Sequence, residues 1–292
     1  MTRRNETGRS RYASGLSAEE READAMHAIL LVGGRGTRLL PHTSDRPKAL
    51  MPMGRHSLLE IILRRLRVCG FTRATLCVSH LGAMIRSAIG DGSQLGLQVD
   101  YCVDERPMGT AAPLRAVPEW TSPAVVMNGD LLTSLDFGEL YRRHVASDAV
   151  LTVAYQRYWV STGVGLLRTD GERIRRVQEK PTFEWNVCCG IYVADPDIRS
   201  HIPAGQPIDM PALINALAQA GSPVDGFAFN EAWHDVGTPA HYEQARADFL
   251  ADPGRYLQLA PTGQPTDRSR PKLDVFFLDE PVPGGATIET WS

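Results

Sequence analysis

Apolar residues along the chain fall in short blocks, and their spacing alternates between continuous and helical. His27 to Val32 (HAILLV) is an unbroken apolar run of strand length, the pattern of a strand covered on both faces. Ser57 followed by Glu60 reads as a capping box, and LLEIILRRLRVCG behind it has the spacing of an amphipathic helix that stops at Gly70. Ala74 to Ser79 predicts the next strand, Leu81 to Ile89 a short helix ended by Gly90, Leu97 to Val103 a strand, and a further helix starts near Thr110. Ala124 to Met127 (AVVM) predicts a strand that runs into Asn128-Gly129-Asp130, with a helix over Phe137 to Val145 and a strand over Ala149 to Tyr155 behind it. Alternating strands and helices imply right-handed crossovers and an α/β class, a Rossmann-like, mostly parallel sheet flanked by helices.

After Tyr155 the pattern changes. Gly163 to Thr169, Arg173 to Gln178 and Gly190 to Val193 predict short strands with no helices between them, hence an added mixed sheet. Pro211 to Ala220 and Pro239 to Leu250 predict helices, and the tail from Asp252 is rich in Pro, Gly and Thr, with Leu273 to Leu278 (LDVFFL) as its one strand-like run. Without internal repeats no β-helix domain is expected. The division expected is a disordered polar lead at 1–25, a main domain at 26–250 and a C-terminal extension at 251–292. Met26, just before the first strand, is a second candidate start.

Composition narrows the function classes. A net charge of -3 and 22% charged residues argue against a polyanion-binding surface, so no nucleic-acid partner is expected and any phosphate chemistry must use a local basic cluster. No apolar run approaches the roughly 20 residues of a membrane span, and residues 1–24 lack the apolar core of a secretory signal. Five cysteines, two of them adjacent and none in CxxC spacing, suggest neither a disulfide framework nor a zinc site. Reduced thiols fit a cytoplasmic location.

The local basic cluster follows the first strand. LLVGGRGTRLLPHTSDRPKAL carries Gly33, Gly34 and Gly36, then Thr37, Arg38 and Lys48. Glycines let backbone N–H groups approach a ligand and form an anion nest. Glycine alone would be read as a tight turn, but basic side chains at the carboxyl end of a buried strand stand where open α/β sheets bind ligands. Two phosphate motifs fail: GxGxxG would need glycine at Leu39, and a P-loop would need Gly-Lys-Ser/Thr where Leu39 and Leu40 stand.

GGRGTRLLP followed by RPKAL resembles the signature of the sugar-1-phosphate nucleotidyltransferases, GG-x-GTRL-x-P with PK downstream. Other segments match in family order. Asp104 to Ala111 (DERPMGTA) resembles the segment beside the base, Asn128-Gly129-Asp130 the NGD of the metal site, Glu179-Lys180-Pro181 the EKP, Trp233 to Pro239 (WHDVGTP) the W-x-D-x-GTP, and Cys188 to Tyr192 the NAGIY. Read alone, these are a helix cap at Thr110, an Asn-Gly hairpin turn, an exposed charged turn and a turn cap at Asp235. The resemblance covers about Met26 to Leu250 and implies a role for each. Gly33, Gly34, Gly36, Thr37, Gly109 and Thr110 would hold the nucleotide. Arg38 and Lys48 would carry the chemistry, and Asp130 and Asp235 would hold Mg²⁺. Gly163, Glu179, Lys180 and Cys188 would bind the sugar phosphate in the added sheet. Cys188 stands where the family has Asn, and a thiol cannot donate and accept as an amide does, which points to an atypical sugar.

The implied reaction joins a nucleoside triphosphate and a sugar 1-phosphate and releases pyrophosphate. The attacking phosphate monoester has a second pKa of about 6 and is mostly anionic at neutral pH, so no general base is needed. Positioning and charge neutralisation do the work. Pro107 to Leu114 (PMGTAAPL) resembles most the guanylyltransferases for mannose or heptose phosphates, which favours GTP, with thymidylyl or uridylyl transfer next. A homo-oligomer is expected by the same resemblance. Two competing readings remain at this level. A metal-dependent glycosyltransferase would carry Asp-x-Asp where Asn128-Gly129-Asp130 stands, and a nucleotide-sensing protein would bind without turnover.

Overall fold

The computed structural model describes residues 26–34, 36–79, 81–103 and 108–258. The lead at 1–25, residues 104–107 of the segment expected beside the base, and the LDVFFL run lie outside them. The chain forms two units, one whose described residues run up to 156 and from 188 to 258, and a smaller one whose described residues are 157–187.

In chain order the first unit begins with β1 (His27–Leu31), β2 (Pro52–Met53), β3 (His56–Ser57) and α1 (Leu58–Val68). Then come β4 (Arg73–Val78), α2 (Gly82–Ile89), β5 (Gln98–Val103), β6 (Ala124–Asn128), β7 (Leu131–Thr133), α3 (Phe137–Val145) and β8 (Leu151–Ser161). The smaller unit holds the hairpin β9 (Leu166–Asp170) and β10 (Arg173–Gln178), and β11 (Thr182–Ala194) carries the chain back. The rest is α4 (Met210–Gln219), β12 (Val224–Ala228), β13 (Trp233–Asp235), α5 (Pro239–Ala251) and α6 (Pro253–Leu257).

The main sheet has seven strands in the order β12-β8-β11-β6-β1-β4-β5. β6, β1, β4 and β5 are parallel neighbours, and β11 lies antiparallel to β6. The continuous apolar runs of β1 and β6 are buried because both faces are covered. Ala28 and Leu30 pack with Leu59, Leu63, Phe137 and Phe249 of the helices on one side. Ile29 and Val126 pack with Leu114, Trp120 and Leu213 on the other. Each Leu, Ile, Val or Phe among them contributes about 2 kcal/mol by leaving water.

Ser57 caps α1 by accepting from the Glu60 N–H at 3.2 Å. The reciprocal half of the expected box is missing, because the Glu60 carboxylate is taken by His56 and Arg64, each at 2.9 Å. Three other expectations are corrected. The strand at 190–193 belongs to β11 in the main sheet, and the added sheet is a two-stranded antiparallel hairpin rather than a mixed sheet. Instead of an α-helix near Thr110 there is one 3₁₀ segment, Ala112–Ala116, with Pro113 in its first turn. Asn128-Gly129 makes no type I′ hairpin: Gly129 is not among the glycines with positive φ, and β6 and β7 belong to different sheets. Gly129 is needed for close approach, since a Cβ there would meet Val32 Cγ1 at 2.2 Å.

Candidate active site

Two neighbouring strand ends on β1 define where the site falls. Leu31 closes β1 opposite Cys77 of β4 on one side and Asn128 of β6 on the other. The chain builds β4 and β5 outward on one flank of β1, then returns to place β6 on the other. That reversal of strand order opens a crevice outside the carboxyl ends, where open α/β sheets bind ligands. A cleft of about 390 Å³ lies there, lined by Leu31, Gly33, Gly34, Arg38, Cys77 and Ser79, and across from them by Met108, Gly109, Thr110, Asn128, Asp130 and Asp235.

The glycine loop forms one wall. Ser79 Oγ donates to the Gly33 carbonyl at 2.6 Å, and Thr43 Oγ1 donates to the Gly36 carbonyl at 2.7 Å. Both bracing residues escape sequence reading, because a lone Ser or Thr carries no signal of which distant carbonyl it will meet. Gly36 has φ +63, and a Cβ on it would sit 3.2 Å from both Lys48 and Thr43. Gly34 differs: among the described residues a Cβ there would meet no atom within 4 Å. Gly36 starts a 3₁₀ turn, Thr37–Leu39, that carries the exposed Arg38 while Leu39 is buried.

The opposite wall is held by a reciprocal link. Gly109 has φ +87, and a Cβ there would collide with the Ile208 carbonyl at 2.5 Å. The Thr110 N–H donates to Asp209 Oδ1 at 2.8 Å, and Thr110 Oγ1 accepts from the Met210 N–H at 2.9 Å. Thr110 therefore is a cap, but of α4, a hundred residues on, and not of its own segment.

At the floor the two carboxylates come together. β7 and β13 pair antiparallel with Leu131 opposite Asp235, and the Val236 N–H donates to the Asp130 carbonyl at 3.0 Å. Asp130 and Asp235 thus face one cleft. Lys48, 9% exposed, reaches Asp130 Oδ2 with its Nζ at 2.5 Å. Asp235 is solvent-exposed along its strand yet crowded by protein on its other sides. That partial desolvation, followed by the neighbouring Asp130 charge, raises its pKa above 3.8, against the pull of Lys48, Arg38 and His241. Among the described residues no group of three or more His, Cys, Asp or Glu side chains could hold a metal.

The remaining candidates are placed as follows. Gly163, Glu179 and Lys180 lie in the smaller unit, where Lys180 adopts φ 43 and the Glu179 carboxylate stands 3.0 Å from where a Gly165 Cβ would be. Cys188 is exposed on β11, its Sγ 3.4 Å from the Tyr192 hydroxyl. One constellation has no sequence signal at all: His144 meets Thr152 Oγ1 at 2.8 Å and Asp195 Oδ1 at 3.1 Å. With His144 and Asp195 side chains 1% and 5% exposed, no substrate reaches it, and it ties α3 to the sheet.

Fold and cleft together define an α/β protein whose sheet opens a cleft between a glycine loop and a carboxylate pair. The nucleotidyl transferase family profile matches residues 27–252, and the chain belongs to that family. It is 31% identical over 235 residues to a mannose-1-phosphate guanylyltransferase of Mycobacterium tuberculosis, covering 76% of this chain and 64% of the relative. It is 30% identical over 255 residues to a UTP–glucose-1-phosphate uridylyltransferase of Synechocystis, covering 80% of this chain and 66% of the relative. The chain therefore spans about two thirds of the length of these relatives. In fold it is similar to a Bacillus anthracis crystal structure described as a glucose-1-phosphate thymidylyltransferase, with a TM-score of 0.63, 24% identity, and coverage of 76% of this chain and 94% of that one. No helix among the described residues is long and apolar enough to cross a membrane.

Proposed function

We propose that this chain transfers a nucleotidyl group from a nucleoside triphosphate, GTP by preference, to a sugar 1-phosphate, giving a nucleotide sugar and pyrophosphate. The observation that carries the reading is that one cleft collects Gly33, Gly34 and Arg38 from the first loop with Asp130 and Asp235 from segments far along the chain. Gly34 supports a ligand on the loop: among the described residues no atom would meet a Cβ there, and its absence leaves room for a phosphate to approach the backbone. The guanylyl and uridylyl activities in the relatives' names support the reaction class and leave two bases to test.

The two carboxylates fit a divalent cation. Asp130 and Asp235 would hold Mg²⁺, which is usually bound by one or two carboxylates with phosphate and water oxygens, and its charge would offset the crowding that disfavours ionised Asp235. Bound there, Mg²⁺ would supply the positive charge that lets two anions approach. The chain's own residues do the rest. Lys48, already fixed against Asp130, neutralises charge beside the α-phosphate. The planar fork of Arg38 grips the departing pyrophosphate. Gly109 and Thr110, locked to α4, hold the nucleoside side of the cleft. Lys180, Glu179 and Gly163 hold the sugar phosphate, with Cys188 against the sugar. No side chain needs to remove a proton from the nucleophile.

A panel of GTP, UTP, dTTP and ATP against mannose, heptose and glucose 1-phosphates tests the reading by pyrophosphate release. Release with GTP and a manno-configured phosphate is expected. Triphosphate binding without release would favour a sensor, and activity only with a nucleotide sugar as donor a glycosyltransferase.

A further inference from the structure

Lys48 steadies the Asp130 carboxylate, whereas among the described residues no hydrogen bond or ion pair holds that of Asp235, so its place depends on its strand. β13 has three residues and pairs with the three of β7 in a two-stranded sheet, a pairing that is marginal without support from outside. Alternation along the strand turns Trp233 and Asp235 to one side and His234 to the other. On the first side the Trp233 Nε1–H donates to the Cys189 carbonyl at 2.9 Å, and Asp235 lines the cleft. On the second side His234 Nε2 stands 3.0 Å from Asp248 Oδ2 of α5. The Tyr256 hydroxyl of α6 donates to the same oxygen and lies 3.4 Å from His234 Nε2. An ionised carboxylate only accepts, so that one oxygen takes a hydrogen bond from the phenol and another from the imidazole. Tyr256 is completely buried, and none of the three residues lines the cleft.

We propose that Asp248 is a positioning residue for the cation site. Through His234, with Tyr256 bracing it, Asp248 sets how Asp235 enters the cleft beside Asp130. A cation shared by carboxylates from two elements needs both in place at once, and partners standing behind metal ligands commonly change metal affinity by about 10- to 100-fold. The inference rests on the reading of Asp235 as a ligand, and its test keeps the two apart without measuring turnover.

Mn²⁺ binding to the full chain, read from the electron paramagnetic resonance signal of the free ion, is compared with thermal melts. Asp235→Asn should abolish binding and sets the reference for a lost ligand. Asp248→Leu should raise the Kd by about 10-fold or more, and Asp248→Asn, which keeps one acceptor oxygen, should raise it less. Tyr256→Phe leaves the ring in its buried seat and removes only the hydroxyl, and should also weaken Mn²⁺ binding. Phe249→Leu is the control: its ring lies 5.8 Å from that of Tyr256, so the variant loosens the same helices and lowers Tm, but it should bind Mn²⁺ as the parent does. Parent-like binding in both Asp248→Leu and Tyr256→Phe overturns the proposal and leaves Asp235 a ligand. Equal weakening in Phe249→Leu and Asp248→Leu also overturns it, since loosened packing then accounts for the effect. No difference between the parent and Asp235→Asn overturns the ligand reading and this inference with it.

Discussion

Gly34 and Gly36 stand two residues apart in one loop under different constraints. Gly36 has positive φ and close neighbours, so Gly36→Ala should lower stability and Tm. A Cβ on Gly34 would meet no atom of the described residues, so Gly34→Ala should leave Tm unchanged and raise the KM for the triphosphate. Thermal melts beside initial rates separate the two. Arg38 is exposed on the cleft wall, and Arg38→Ala should cut kcat by about 10²-fold or more, as loss of a preorganised charge donor does. Unchanged turnover removes it from the mechanism. For Asp235 the sign of the pH effect follows from its raised pKa. The folded state keeps that proton more readily than the unfolded one, so the stability it contributes is largest below 3.8 and is lost as pH rises through the folded value. In metal-free buffer Asp235→Asn should therefore melt above the parent at neutral pH, with the gap closing on acidification. In the assay the same variant should show a flat magnesium titration.

Elements bring these residues together by pairings that link distant parts of the chain. β7 and β13 are three residues each, too short to stand out in the sequence, yet their pairing puts Asp235 beside Asp130. Thr110 caps α4 while Asp209 holds the Thr110 N–H. Thr110→Val should cost about 1 kcal/mol in denaturant unfolding through the lost cap. It should also raise the KM for nucleotide more than it lowers kcat. At the end of the described chain α5 runs to Ala251, and α6 buries Tyr256 completely. Buried Arg65 of α1 holds this segment by donating to the carbonyls of Gln258 and Arg255, as well as to those of Ser134 and Leu135. An arginine among helix-face residues reads as solvated, and only the fold shows it stitching four carbonyls together.

Across the whole molecule, His27 at the start of β1 is a buried base. Its Nε2 meets Thr75 Oγ1 at 2.8 Å, and burial, then Arg73, depress its pKa to about 4. The unfolded chain protonates near 6.5 while the folded one does not, so stability is full above that value and falls as pH drops toward 4. The loss should reach up to about 3 kcal/mol, and urea unfolding across this window should show it, with His27→Gln flattening the slope.

The sequence by itself determined the α/β alternation, the buried strands HAILL and AVVM, and the family to which the chain belongs. Apolar period and local motif chemistry are properties of neighbouring residues. It missed the placement of Ser79, Thr43 and Arg65, the two-stranded form of the added hairpin, and the fact that Thr110 caps a helix a hundred residues away. Those depend on which carbonyl or N–H a side chain meets after the sheet has closed. The assembly of one cleft from Gly33, Gly34, Arg38, Gly109, Thr110, Asp130 and Asp235 was decided only by tertiary structure. Strand order, with β6 returning to the opposite flank of β1, sets which chain segments share a crevice, and no local pattern encodes that order.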